Sequence, residues 1–304
     1  DMNQGEVLSR TWKLLWKHKV LYLLGLVSSL VFSGPTFICI IFLLTSLNKF
    51  ESLYHSMNNR IQSMPIYGWV LIGLVWLAVW AVVLYLTQSF KAAQYRGAWQ
   101  VDTAEPQEFS FGQLWREGQP YVLRMVLLNL IFGGISLIGV LAVIIPFAYG
   151  MISEAYWLLC LALLVVFVLP AVTILIQIFI QLGGAAIVVE NLGAIAAIRR
   201  AWDVAIHHKA AIALLMLFLY LINYGISMLI QTPFSFLIGL VPGFMGTTSI
   251  VVILGMAALM WLVVVLYTGL WMSFNDTAWV VAYNRLTRPA EPALTDVKSP
   301  QTQG

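Results

Sequence analysis

Charge is what this chain has least of. Of 304 residues only 10% are Asp, Glu, Lys or Arg, against roughly 25% in a soluble domain. The deficit comes in blocks. Residues 20–48, 61–90, 125–153 and 155–189 carry no charge, and residues 210–275 form one further charge-free run. Cysteine is nearly absent. Cys39 and Cys160 both fall in apolar stretches without CxxC spacing, which argues against a metal or redox site and reads them as small buried side chains. No Ser/His/Asp set, HExxH motif or phosphate-binding glycine loop is found. The expected cytoplasmic connections, about 20–30 residues each, are too short for a nucleotide-binding domain. The chain therefore reads as a non-enzyme with no cofactor and no metal.

What is present is apolar residue, 61% of the chain. A bilayer core of about 30 Å is crossed by about 20 apolar residues as helix. Spans are expected near 20–47, 66–90, 121–145, 153–182, 209–231 and 249–275. The runs are continuous rather than alternating, so they predict helices and not barrel strands. The fold class is an all-α integral membrane protein of six transmembrane helices. The first apolar run continues past Gly34-Pro35 to Leu47, and Ser33-Gly34-Pro35 is a poor cleavage site, so a retained span is expected rather than a signal peptide.

The 16 basic residues fix an expected orientation. With a cytoplasmic N-terminus, 14 of them lie inside and only Lys49 and Arg60 outside, the bias that sets topology. Both termini are then cytoplasmic. The basic residues are dispersed beside the spans rather than gathered on one surface, which excludes nucleic acid as a partner and favours membrane lipids.

The main internal pattern centres on tryptophan. Arg10-Thr11-Trp12 precedes Lys17-His18-Lys19, and Arg199-Arg200-Ala201-Trp202 precedes His207-His208-Lys209. A weaker version is Leu114-Trp115-Arg116. The spacing predicts one module written three times, over residues 6–96, 109–191 and 193–286, with a disordered tail at 287–304. Each module is an amphipathic helix lying at the interface, then a helical hairpin. Leu8, Trp12, Leu15 and Trp16 share one face of the first such helix, and Ile195, Ile198, Trp202 and Ile206 one face of the third. Arg199 and Asp203, four apart, have the spacing of a pair. Ser110-Phe111-Gly112-Gln113 opens the second as a capping box. The residues expected at lipid headgroups are Arg10, Trp12, Lys13, Trp16, Lys17, Lys19, Trp115, Arg116, Arg199, Arg200, Trp202 and Lys209. Adjacent helical residues point about 100° apart, so His207 and His208 do not suit one metal.

Glu190, ten residues before Arg200, suits an ionic latch between the second hairpin and the third interfacial helix. Asn129, Gln177, Gln181 and Asn223 lie within spans, where polar side chains usually face other helices; Asn129, Gln177 and Asn223 are the candidates for lining a substrate path. Ionisable groups at mid-membrane, which a driven pump needs, are not expected, with Glu154 and Asp276 placed near span ends. A short turn is expected at 146–152. The Pro/Gly-punctuated apolar segment 232–248 suggests a re-entrant dip or a packing surface.

Glu190-Asn191-Leu192-Gly193 followed by Ala196-Ala197-Ile198-Arg199-Arg200-Ala201-Trp202 resembles a pattern in a broad group of bacterial six-span membrane proteins. That group includes the membrane domain fused to some glycerophosphodiester phosphodiesterases. Gly5–Trp12 and Ala278–Thr287 look like the same group. The resemblance implies a fold and a bacterial cytoplasmic-membrane location. It does not imply phosphodiesterase activity, which belongs to a separate soluble barrel of about 250 residues. The expected function is a membrane subunit that scaffolds, anchors or regulates a complex or organises lipid, with a protein partner or a second copy of itself. The alternative is a passive or partner-driven transporter of lipid or small molecules.

Overall fold

The structure, a computed structural model, describes residues 3–46, 65–103, 109–153, 155–244 and 250–287. Among them are eight helices and no strand: α1 Gln4–Lys17, α2 Lys19–Ser46, α3 Ile66–Thr103, α4 Phe111–Ser153, α5 Tyr156–Val189, α6 Ala194–His207, α7 Lys209–Phe244 and α8 Ile250–Thr287. Five are long and apolar enough to cross a membrane, or six if the bent pair α1–α2 counts as one span. The outer connection that carries Lys49 and Arg60, and the expected tail from 288, lie outside the described residues.

The helices run further than their apolar stretches require. The 43 residues of α4 extend about 64 Å, twice the hydrocarbon thickness of a bilayer. The excess lies at the charged ends, and there the core sits. Its largest fully buried side chains include Tyr95, Leu114, Met125, Leu182, Ile187, Trp279 and Tyr283. The apolar ends are scarcely packed, and none of the most apolar stretch of α3 is buried. Lipid tails are as apolar as leucine, so no hydrophobic force draws helices together within a bilayer. Close packing then follows small residues. A Cβ on Gly118 would lie 2.6 Å from the Ala93 backbone nitrogen, and one on Gly269 would lie 2.7 Å from the Leu26 Cα. These approaches join α3 to α4 and α2 to α8. Ser273 secures the second crossing by donating to the Leu21 carbonyl at 3.1 Å.

α1 and α6 have matching ends. Each spans 14 residues and stops at a histidine, His18 or His208, whose N–H binds the carbonyl four residues back, Leu14 or Val204. Each is followed by a helix opening on lysine. α1 meets the first part of α2 at 91°, the attitude of an interfacial helix beside a span.

Several expectations are corrected. The helix beginning at Phe111 does not break before the second hairpin but continues to Ser153, and Gly118 lets its first turns pack closely on α3. The turn expected at 146–152 is helical through Ser153. Residues 232–244 do not dip back but extend α7. Both changes follow one rule: in apolar surroundings a helix satisfies its own backbone, so proline alone does not end it. The buried faces of α1 and α6 lie beside their large apolar stripes. They are Gln4, Val7, Thr11 and Leu15, and Ala194, Ala197, Ala201 and Val204. Trp12, Trp16, Ile195, Trp202 and Ile206 face outward. Cys160 is exposed on the loosely packed end of α5 rather than buried. The side chain of Cys39 lies outside the described residues.

Candidate functional site

At the charged end the helices are tied by polar side chains. Asp102, near the end of α3, accepts from Arg10 of α1 at 2.6 Å and from Asn284 of α8 at 2.7 Å. Arg285 reaches back to Glu6 at 2.9 Å. That hydrogen bond, with the guanidinium charge, holds the Glu6 carboxyl below its ordinary value. Partial burial, with Lys17 beside it, lowers His18 at the α1–α2 knee. The N-terminal helix and the end of α8 thus lie side by side.

The second cluster joins α5, α6 and α8. Glu190 receives Arg200 at 3.0 Å and the Tyr283 hydroxyl at 2.6 Å. The Glu190 hydrogen bond raises the Arg200 guanidinium above its ordinary value. Asn191 turns the chain between α5 and α6 with a φ of 54°, a left-handed conformation that asparagine tolerates better than most residues. Arg124 of α4 donates to its carbonyl at 3.0 Å and its side-chain oxygen at 2.7 Å. Arg199 and Asp203 make no ion pair among the described residues; the Asp203 carbonyl instead lies 2.7 Å from His207 Nδ1.

A third cluster is deeper. Lys91 of α3 and Asp276 of α8 are 3.6 Å apart and both largely buried. Tyr95 donates to Gln181 of α5 beside them. Asn129 donates to Gln88 at 3.1 Å and to the Met125 carbonyl at 2.9 Å.

Two apolar clefts flank Trp12. One, of about 290 Å³, lies between α1, α7 and α8 and includes Leu8, Ile226, Tyr267 and Phe274. The other, of about 380 Å³, lies at the knee with Trp16, Lys19 and Tyr22. A different cavity of about 250 Å³ opens between α5, α7 and α8, lined by Gln177, Gln181, Asn223, Asn275, Tyr220, Trp271 and Trp279 among others. α7 borders two of these three spaces. It is pinned to the rest by few contacts: Gln4 to the Ala211 carbonyl at 3.0 Å, and Tyr267 to Asn223 at 2.6 Å and Ser227 at 2.9 Å.

The expected headgroup residues divide accordingly. Lys13, Lys17, Lys19, Arg116, Arg199 and Lys209 are exposed, as are Trp12, Trp16 and Trp202. Arg10 and Arg200 are engaged in ion pairs. Trp115 is half-buried against Phe90, ring centres 4.4 Å apart, and Trp202 stacks on Phe179 at 5.6 Å. Of the path candidates, Gln177 and Asn223 share the cavity beside α7. Asn129 belongs to the separate Gln88 contact. Sequence reasoning missed Asp102, Lys91 and Asp276 as partners, because each pair joins residues far apart in the chain. Among the described residues no group of three or more His, Cys, Asp or Glu is placed to hold a metal.

These features define an all-helical protein with five or six helices able to span a membrane, tied at their charged ends. Residues 118–286 match the family described as a domain of unknown function, DUF7847, and this is more than half of the chain. The protein belongs to that family. No curated protein and no solved structure matches the chain.

Proposed function

We propose that this protein is a non-enzymatic, multi-pass subunit of a bacterial cytoplasmic membrane that organises lipid and anchors a partner through its charged end. The observation that carries the reading is the uneven packing: a dense core at the charged end and apolar helices left open beside it. An enzyme would instead be expected to gather its polar groups around a space holding a reacting atom. Here the charged groups join helix to helix. Both termini are proposed to be cytoplasmic, supported by the basic-residue bias and by the contact of Glu6 with Arg285. The threefold module is proposed on the Trp-centred sequence blocks, and the matching ends of α1 and α6 support it for the first and third copies. Kinship with the membrane domain of glycerophosphodiester phosphodiesterases rests on the quoted motifs.

Native mass spectrometry of the protein released from its own membranes tests this reading. Retained lipid and a stoichiometric protein partner or second copy are expected. A bare monomer that turns over substrate contradicts it.

The meeting of Gln177 and Asn223 in one cavity favours a second reading, passive transport of lipid or a small molecule past α7. Reconstituted vesicles distinguish the two. Lipid scrambling that falls at least tenfold in Gln177→Leu supports transport, and scrambling equal to that of empty vesicles excludes it.

A further inference from the structure

We infer that the cavity between α5, α7 and α8 is a lateral binding site for an uncharged, hydroxyl-bearing group, with a neutral glycolipid headgroup as the favoured source. This deepens the lipid-handling reading and rests on the chain's membrane location.

Gln177 is the exposed polar side chain on the lipid side of this cavity. Its carboxamide is exposed on α5 within the charge-free run 155–189, and a primary amide facing apolar surroundings without a partner is costly. It lies thirteen residues, about 20 Å, from Glu190 along the helix. Asn223 lies fourteen residues, about 21 Å, from Lys209. Leu182 to Val188 belong to the packed core at the charged end, so Gln177, and Asn223 across the cavity from it, lie where that core gives way to the apolar layer. At that level a lipid headgroup can reach both carboxamides while its acyl chains stay beside the apolar ends of the helices.

The lining names the ligand's chemistry. Gln177, Gln181, Asn223 and Asn275 together offer amide donors and carbonyl acceptors, the set that hydroxyl groups require. No charged residue lines the cavity. The nearest charges, Lys91 and Asp276, are paired with each other at 3.6 Å. A phosphate would have to leave water without a cation to receive it, which costs far more than moving a hydroxyl. Trp271, Trp279 and Tyr220 add aromatic faces of the amphipathic kind that carry both apolar contact and a polar edge. Two of the amides are held in place: Tyr95 donates to Gln181, and Tyr267 to the Asn223 side-chain oxygen at 2.6 Å. At about 250 Å³ the space is smaller than a usual drug-sized site, enough for one headgroup with its acyl chains left among the lipids. The sparse attachment of α7 supplies the way in.

The experiment places the full chain in phosphatidylcholine–phosphatidylglycerol nanodiscs doped with monoglucosyl diacylglycerol carrying a photoreactive group next to the sugar. Crosslinks are expected within 177–181, 216–223 and 271–279, and at least fivefold fewer in Gln177→Leu. That substitution sits on an exposed position and is expected to leave thermal unfolding at or above the parent's. The same photoreactive group on a phosphatidylglycerol headgroup should label these segments at least fivefold less. Competition by millimolar methyl glucoside assigns the site to a free sugar, and no competition assigns it to the lipid. Equal labelling by the anionic probe, or labelling indifferent to Gln177→Leu, overturns the site while leaving the membrane reading intact. A chain that does not float with the nanodiscs overturns both.

Discussion

Lys91 and Asp276 show how much depends on single side chains. Each is a charge removed from water, and their attraction offsets that cost only while both are present. Asp276→Asn alone or Lys91→Met alone is expected to destabilise the protein by about 3–5 kcal/mol. The double replacement Lys91→Met with Asp276→Leu should recover most of that loss, measured by unfolding in detergent. Single variants no less stable than the parent would show that the pair is solvated. Glu6 provides a surface counterpart. Its carboxyl lies below the ordinary value of 4.5 because Arg285 binds it, so the folded state favours the ionised form. The pairing is complete above 4.5 and is lost as pH falls through the lower folded value. Amide exchange in α1 should therefore accelerate on acidification through that window, and Glu6→Gln should flatten the response. The charges of these residues were plain in the sequence, but not their partners. Asp276 read as a helix-end charge because no local spacing connects it to Lys91.

At the scale of elements, the helices were legible and their limits were not. Charge-free runs announce a span, yet they do not say where a helix stops once its backbone has no water to bind. That is why α4 runs through Pro146 and α7 reaches Phe244. Nor does an apolar stripe say which face a helix buries. Large apolar residues mark the core of a soluble helix, but beside lipid they face outward and small ones mark the contact. The signal lay in Ala194, Ala197 and Ala201, and in Val7 and Thr11. The same logic predicts that Gly269→Leu forces α8 from α2 and costs about 1–3 kcal/mol. Gly225→Ala, at a position with nothing within 4 Å, should stabilise α7 by up to about 1 kcal/mol. Thermal unfolding of the two variants checks both signs. A tolerated Gly269→Leu would mean that the two helices do not cross so closely.

For the whole molecule, composition alone disclosed a helical membrane protein, while the location of its core emerged only from the packing. Long helices leave their charged ends outside the apolar layer, where burial can stabilise them, and the apolar ends remain beside lipid. Lipid should therefore touch the apolar ends and spare the packed charged end. Photolabelling with a membrane-soluble carbene reagent, followed by peptide mapping of the chain in lipid, tests it most directly. Dense labelling is predicted over residues 66–85, 135–152 and 156–175, with little over 90–98, 182–188 and 278–283. Uniform labelling, or spans left unlabelled while the charged end reacts, would contradict it.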